Sequence, residues 1–286
     1  MTLPQNLSPD YKFLAVIGHP IQQSLSPLMH NTAFQVLGLH YLYAAYDIEP
    51  ASLPTALRDM KNSGFAGFNV TIPHKQAILP LLEDVDYEAR HVGAVNTVSL
   101  QDNRLIGYNT DVYGVLKTLE PYHSEISNKD VLILGSGGAT RAVVYALEKY
   151  FKPGKIVISC RSPQKAESLI ADLKIQAAIV SFPPSESSTN YSLVVNATPI
   201  GMHPEVGVSP ITDKEFFRKG QIVFDLISRP LETKFLKAAR AAGATTLRGL
   251  EMLIHQGAKS FTIWTGNEMP IDHVRRVLED KLREEK

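Results

Sequence analysis

The segment VLILGSGGATRAVVYALEKY, residues 131–150, constrains the fold more than any other. Four consecutive apolar residues, Val131 to Leu134, predict a strand buried on both faces, as in a parallel sheet. Gly135, Gly137 and Gly138 follow as a turn, and the residues beyond them predict a long helix. Strand, glycine turn and helix in direct succession is the setting of the dinucleotide-binding fingerprint. Bare backbone lets a pyrophosphate approach, and the helix start offers unpaired N–H groups and a positive dipole end. Position 140 is Thr where the generic pattern has a third glycine.

The same alternation runs through the chain, which predicts an α/β fold. FLAVIG (13–18), YLYAAYDI (41–48) and GFNVT (67–71) predict strands. Between them lie the helical segments PLMHNTAFQVLG and SLPTALRDMKNSG. In the first, Met29, Ala33, Val36 and Leu37 share a face and Gly38 stops the helix. A parallel sheet with covering helices is expected. A helix near 113–122 is expected to link two lobes. Beyond the glycine turn, KIVISC, YSLVVNATP and QIVFDLI predict strands, and PQKAESLIADL and LETKFLKAARAAG helices. SFPPSESSTN (181–190) reads as a polar loop. The chain from Leu250 onward is mostly helical, with HVRRVLEDKLREEK as a charged, solvated end. A length of 286 residues suits one large or two medium domains.

Several function classes fall away. Lys plus Arg equals Asp plus Glu at 29 each, so nothing favours a nucleic-acid or membrane-surface partner. No apolar run reaches the roughly 18 residues of a membrane span. MTLPQNLSPDYK lacks a basic segment followed by an apolar one, so no secretory leader is expected. The single cysteine, Cys160, forms no internal disulfide, which suits a reducing cytoplasm. Nine histidines include no HExxH and no Cys/His cluster, so no metal site is expected.

The polar residues are more informative. After KIVIS comes Cys160-Arg161-Ser162, with Lys165 shortly beyond. An NAD site usually carries an acid there for the ribose 2′-OH; two cations and a hydroxyl suit the 2′-phosphate of NADP. Ser24 and Ser26 lie in QQSLSPLMH, where Ser26-Pro27 has the form of an N-cap followed by proline. In GFNVTIPHK, alternation puts Asn69 and Thr71 on one side of a strand. Pro73 starts a helix there, and Lys75 falls in its first turn, where a cation opposes the dipole. Asn96 and Thr97 lie in HVGAVNTVSL, and Asn109, Thr110 and Asp111 in LIGYNTDVYGVL. Asp111 reads as a cap or as a site residue. Met252 and Gln256 share one helical face.

The motifs HPIQQSLSPLMHN, FNVTIPHK, GAVNT, NTD, GSGGATR, NATPIGM and GLEMLIHQGA occur in this order between residues 19 and 258, and the resemblance they carry extends from about 13 to 270. Their spacing resembles the shikimate dehydrogenase family. The resemblance implies reversible NADPH-dependent reduction of 3-dehydroshikimate to shikimate, in aromatic amino acid biosynthesis. It implies a substrate lobe, residues 1–112 with the C-terminal helices of 246–286 returning to it, and a Rossmann-type NADP lobe, residues 113–245. The active site would be the cleft between the lobes. Lys75 and Asp111 would be the catalytic pair. Ser24 and Ser26 resemble residues that hold the substrate carboxylate, as would Ser228. Thr71, Asn96, Asp111 and Gln256 resemble those that hold ring hydroxyls. Gly135, Ser136, Gly137, Gly138 and Ala139 would bind pyrophosphate, and Arg161, Ser162 and Lys165 the 2′-phosphate. Asn196, Ala197, Thr198 and Met202 would line the nicotinamide side, with Gly249 in the cofactor set. A monomer or homodimer is expected. Three positions depart from the family: Cys160 stands where Asn is common, Lys165 where Arg is frequent, and Ser228 where Tyr is usual. The alternatives are a quinate/shikimate dehydrogenase with relaxed cofactor use, and a non-catalytic shikimate-sensing relative.

Overall fold

Two runs of alternating strands and helices build two separate six-stranded sheets. A computed structural model describes residues 10–184 and 191–284; the N-terminal nine residues, loop residues 185–190 and the last two residues lie outside it. By internal contacts the chain divides into Met1–Thr110 with Gln256–Lys281, and Asp111–His255 with Leu282–Lys286.

The first unit carries β1 (Lys12–Gly18), β2 (Tyr41–Asp47), β3 (Phe65–Val70), β4 (Asp84–Val85), β5 (Thr97–Gln101) and β6 (Arg104–Tyr108) in the order β2-β1-β3-β5-β6-β4. β1 runs parallel to β2 and β3, as expected. The sheet is nevertheless mixed, because β5 is antiparallel to both β3 and β6. The cause is local. Asp102 and Asn103 hold φ of 48° and 59° between β5 and β6, which makes a two-residue hairpin turn.

Helices α1 (Ser26–Leu37) and α2 (Leu53–Asn62) cover this sheet. Gly38 ends α1 in the left-handed region, as its sequence predicts. The buried face of α1 differs from the predicted one. It is Met29, His30, Ala33 and Phe34, while Val36 and Leu37 are 47% and 41% exposed. Two short helices follow, α3 (His74–Ala77) and α4 (Tyr87–Val92).

The second unit begins with α5 (Asp111–Leu119) and α6 (His123–Ile126). Its strands are β7 (Val131–Leu134), β8 (Ile156–Ser159), β9 (Ala178–Val180), β10 (Leu193–Asn196), β11 (Ile222–Asp225) and β12 (Thr245–Leu247). All pairs are parallel, in the order β12-β11-β10-β7-β8-β9. Strands β7, β8, β10 and β11 are buried along their whole length, the signature of a sheet covered on both faces. The order reverses between β7 and β10, the Rossmann arrangement with its switch point there. Helices α7 (Gly138–Ala146), α8 (Pro163–Leu173) and α9 (Lys234–Ala241) belong to this unit.

Two helices close the chain, α10 (Gly249–Thr265) and α11 (Ile271–Glu284), and the division between units falls inside α10. The predicted solvated end is in fact amphipathic, since α11 buries Val274, Leu278 and Leu282 at helical spacing.

Candidate active site

Strand β3 stops at Val70, so Thr71 stands just past it. The Thr71 N–H donates to the Ile17 carbonyl at 2.9 Å. Gly18 makes this approach possible: a Cβ there would lie 2.5 Å from the Thr71 methyl. The chain then turns, with His74 N–H donating to Thr71 O, and places Lys75 half-buried on α3. This helix is a single turn, so Lys75 belongs to its last turn as much as its first. The dipole therefore does not disfavour Lys75 as the sequence suggested. What fixes the lysine backbone is a cross-link: Val95 N–H donates to Lys75 O at 2.8 Å. Lys75 thus adjoins the turn bearing Asn96.

Asn96 sits in a buried network of amides and hydroxyls. Its Nδ2 donates to Thr110 Oγ1 at 2.9 Å and to Gln256 Oε1 at 3.2 Å. Its Oδ1 accepts from Thr110 N at 2.7 Å and from the Thr97 hydroxyl at 3.1 Å. Asn69 Nδ2 donates to Asn96 O, Thr97 Oγ1 and Ser260 Oγ. Ser260 also meets Thr97 at 2.8 Å and Thr110 at 3.0 Å, and donates to Gln256 O. Packing so many polar groups away from water is tolerable only because they satisfy one another. Gln256 reaches this network from α10.

Ser26 is not the helix cap that its sequence suggests. Leu25 occupies the N-cap without a side-chain capping bond, and Ser26 N–H donates to Ser24 Oγ at 3.3 Å. The Ser26 hydroxyl bonds the Tyr43 phenol, whose pKa burial raises well above its usual range. That phenol donates to Asn69 Oδ1 at 2.6 Å, joining Ser26 to the network. Tyr43 and Ser260 therefore belong to this network, although sequence reasoning missed both. A tyrosine in mid-strand with no polar partner nearby was the available signal for Tyr43, because a buried phenol seeks one. His30 stacks on Tyr43 with ring centroids 4.4 Å apart. Burial lowers its pKa to about 3, so it is a neutral aromatic core residue.

In the second unit the predicted cofactor residues gather at the C-terminal ends of β7, β8 and β10. Gly135 has φ of +109°, and a Cβ on it would stand 3.1 Å from Thr198 Cγ2. Gly135 N–H donates to Ser159 O and Ala197 N–H to Leu134 O, so the three strand ends interlock. Gly137 is exposed, with nothing within 4 Å of where its Cβ would point. That open backbone, with Ser136, Gly138 and Ala139 around the start of α7, fits a diphosphate. Thr140 is fully buried. Arg161 and Lys165 are exposed at the end of β8 and the start of α8, and Ser162 is the α8 N-cap. Cys160 is buried, its Sγ 3.4 Å from Ser162 O. Gly249 has a packing reason to be glycine: a Cβ there would lie 2.5 Å from Ile227 O. Met202 is 45% exposed and Ser228 is half-buried. Asp111 is buried at the start of α5, and the contact division assigns it to this unit.

Asp225 is a further residue that sequence reasoning missed. It is buried, and desolvation raises its pKa to about 6 against hydrogen bonds from Thr233, Ile227 and Asn196. The folded state therefore holds its proton more tightly than the unfolded state. The stabilisation is full below about pH 4 and is lost as pH rises through about 6, amounting to about 3 kcal/mol. Asp225→Asn should remove this slope. The check is the difference between variant and unmutated protein in urea unfolding at pH 4 and pH 7. Equal slopes in the two proteins would contradict the assignment.

A family described as the shikimate dehydrogenase substrate binding domain matches residues 16–98, and the shikimate 5′-dehydrogenase C-terminal domain matches residues 249–279. A shikimate dehydrogenase (NADP(+)) of Methanocaldococcus jannaschii is 42% identical over 277 residues, covering 95% of this chain and 97% of that protein. The crystal structure of a shikimate dehydrogenase in complex with NADP+ is similar at a TM-score of 0.90 and 40% identity, over 96% of this chain and 97% of that one. Shikimate 5-dehydrogenase from Thermus thermophilus, in complex with NADP(H) and shikimate, gives 0.83 and 37%, over 94% and 99%. With such identity sustained over nearly the full length, the chain belongs to the shikimate dehydrogenase family.

Proposed function

We propose that the protein catalyses the reversible NADPH-dependent reduction of 3-dehydroshikimate to shikimate in the cytoplasm. The observation that carries this reading is the buried amide–hydroxyl network of Asn69, Asn96, Thr97, Thr110, Gln256 and Ser260 beside the Lys75 turn. The network fixes the elements on which Thr71 and Lys75 stand, and these two half-buried side chains offer polar groups of the kind that a small ring bearing several hydroxyls engages. Thr71, Asn96, Gln256 and Asp111 hold those hydroxyls, and Ser24 and Ser26 hold the carboxylate. Ser228 takes the position usually filled by tyrosine.

NADPH, when bound, supplies the hydride. Reduction of the ketone puts negative charge on its oxygen. The Lys75 ammonium stabilises that charge and delivers the proton, and Asp111 orients the lysine and the hydroxyl. Gly135 to Ala139 hold the diphosphate, and Asn196, Ala197, Thr198 and Met202 line the nicotinamide side. Arg161, Ser162 and Lys165 hold the 2′-phosphate. In this reading the substrate domain is 1–112 with 246–286, and the cofactor domain is 113–245.

The test is a matrix of shikimate or quinate with NADP+ or NAD+, followed by reduced-nicotinamide absorbance. Strong turnover only with shikimate and NADP+ supports the reading. Comparable rates with quinate or NAD+ indicate a relaxed quinate/shikimate enzyme. Binding without turnover of any pair leaves a sensing role. Arg161→Ala is expected to raise KM for NADP+ by about 10–100-fold, the worth of a charge-assisted contact, with little change for NAD+. Equal effects on both cofactors would remove Arg161 from the 2′-phosphate site.

A further inference from the structure

Behind the residues assigned to ligand stands one buried carboxylate. Asp225 ends β11 directly beside Asn196, which ends β10. Its Oδ1 accepts from Asn196 Nδ2 at 3.0 Å and from Ile227 N at 3.1 Å. Its Oδ2 accepts from the Thr233 hydroxyl at 2.6 Å. Asn196 uses its own oxygen to fix the next turn, accepting from Thr198 N at 3.0 Å and Thr198 Oγ1 at 2.7 Å. Thr198 Oγ1 accepts in turn from Ile200 N at 3.2 Å. The same two loops meet twice more, through Leu226 N to Asn196 O and His203 N to Arg229 O, both 3.0 Å. Asp225 is thus the side chain that joins the turn from Asn196 to Met202 to the segment bearing Ser228, alongside these two backbone bonds.

We propose that Asp225 is the positioning residue of the nicotinamide subsite, setting the Asn196–Met202 turn through Asn196 and the Ser228 segment through Ile227 and Thr233. This rests on the reading that Asn196–Met202 line the nicotinamide. Asp225 is fully buried, so it acts through these partners. Its place in the core has a desolvation cost, and an apolar residue of similar size would avoid that cost. Such a residue would also leave the Asn196 amide, the Ile227 N–H and the Thr233 hydroxyl without this acceptor. The acid is explained by the loop geometry it imposes. Asparagine keeps the Oδ1 acceptor for Asn196 and Ile227; alanine keeps none.

The experiment compares the full-length protein with Asp225→Ala and Asp225→Asn. Turnover with shikimate and NADP+ is measured, and calorimetry gives Kd for NADP+ and for adenosine 2′,5′-bisphosphate. The bisphosphate carries the adenosine and 2′-phosphate but no nicotinamide. Asp225→Ala is expected to lower kcat/KM for NADP+ by about 100-fold, the scale of a misplacement near 1 Å, with bisphosphate affinity unchanged within about twofold. Asp225→Asn should recover most of that loss. Should Asp225→Ala fail to fold, Asn196→Asp takes its place, since it keeps an acceptor for Thr198 and removes the donor to Asp225. It should weaken NADP+ and spare the bisphosphate.

Unchanged kcat/KM in Asp225→Ala overturns the proposal. So does parallel weakening of both ligands, which marks general support of the fold. If the unmutated protein turns over neither shikimate nor quinate, the functional reading fails by itself. Positioning is then judged on the two affinities alone: selective loss of NADP+ supports it and parallel loss overturns it.

Discussion

Lys75→Ala is expected to lower kcat by about 10²–10⁴-fold, with KM for shikimate changed only severalfold. The expectation follows from timing. In the ketone and in the alcohol the substrate oxygen carries little charge, so an ammonium beside it adds little to binding. In the transition state that oxygen becomes anionic, and the same ammonium then contributes its full electrostatic effect. A group that acts only at that point appears in kcat and leaves KM nearly alone. Lys75 is half-buried, and its backbone is tied to Val95, so the truncation should leave the fold intact. Steady-state kinetics in both directions, with circular dichroism as a control on folding, provides the measurement. Wild-type turnover in the variant would end the assignment of Lys75 as proton donor.

Asn96→Ala is expected to act mainly on stability. Its side chain satisfies Thr110 N, the Thr97 and Thr110 hydroxyls and Gln256 Oε1, all within the buried network. Alanine leaves these groups in a space that offers them fewer partners. Each buried polar atom left unmet costs about 1–3 kcal/mol, so a total of about 3–5 kcal/mol is expected after relaxation and water entry. Urea unfolding followed by circular dichroism measures it. Weakened shikimate binding would accompany the loss, because Gln256 and Thr110 take their positions from Asn96. A variant as stable as the unmutated protein, but without shikimate affinity, would show that Asn96 serves the ligand alone.

The two sheets were not equally legible. Strands β7, β8, β10 and β11 are uniformly apolar and closely followed by turns, so their sequence leaves few alternatives. The mixed order of the first sheet is less legible, because β5 enters against β3 after a long connection, and only its return into β6 carries a local turn signal, at Asp102 and Asn103. β9 and β12 have three residues each, too few for a periodic pattern, and their pairing is supplied by neighbouring strands. On α1, helical spacing names the helix and places Met29 and Ala33 correctly, but Val36 and Leu37 are exposed, since His30 and Phe34 fill the buried face in an aromatic stack that hydropathy does not anticipate.

The candidate site shows the same split. Asn69, Asn96, Thr97, Thr110 and Gln256 were singled out from short polar motifs, and the fold brings them into one network. Tyr43, Ser260 and Asp225 were not. Each lies in a segment whose surroundings look like ordinary core, and each acts through a partner distant in sequence. Asp225 was hidden inside QIVFDLI, where one acid among apolar residues reads only as the end of a strand. The Ser26 cap was a reasonable inference from Ser-Pro, but the helix begins one residue earlier than that pattern implies.

Trp264 is the only tryptophan in the chain. Its indole N–H donates to Val98 O at 2.9 Å, and Gly67 leaves it room against β3. It is 9% exposed and belongs to the first unit. Intrinsic fluorescence excited at the indole band is therefore a reporter of one unit alone, bright or shifted according to whether the end of α10 is seated on its sheet. Far-ultraviolet signals sum over both units. If the two transitions fail to coincide, the units melt separately, and the separation is visible without introducing a label.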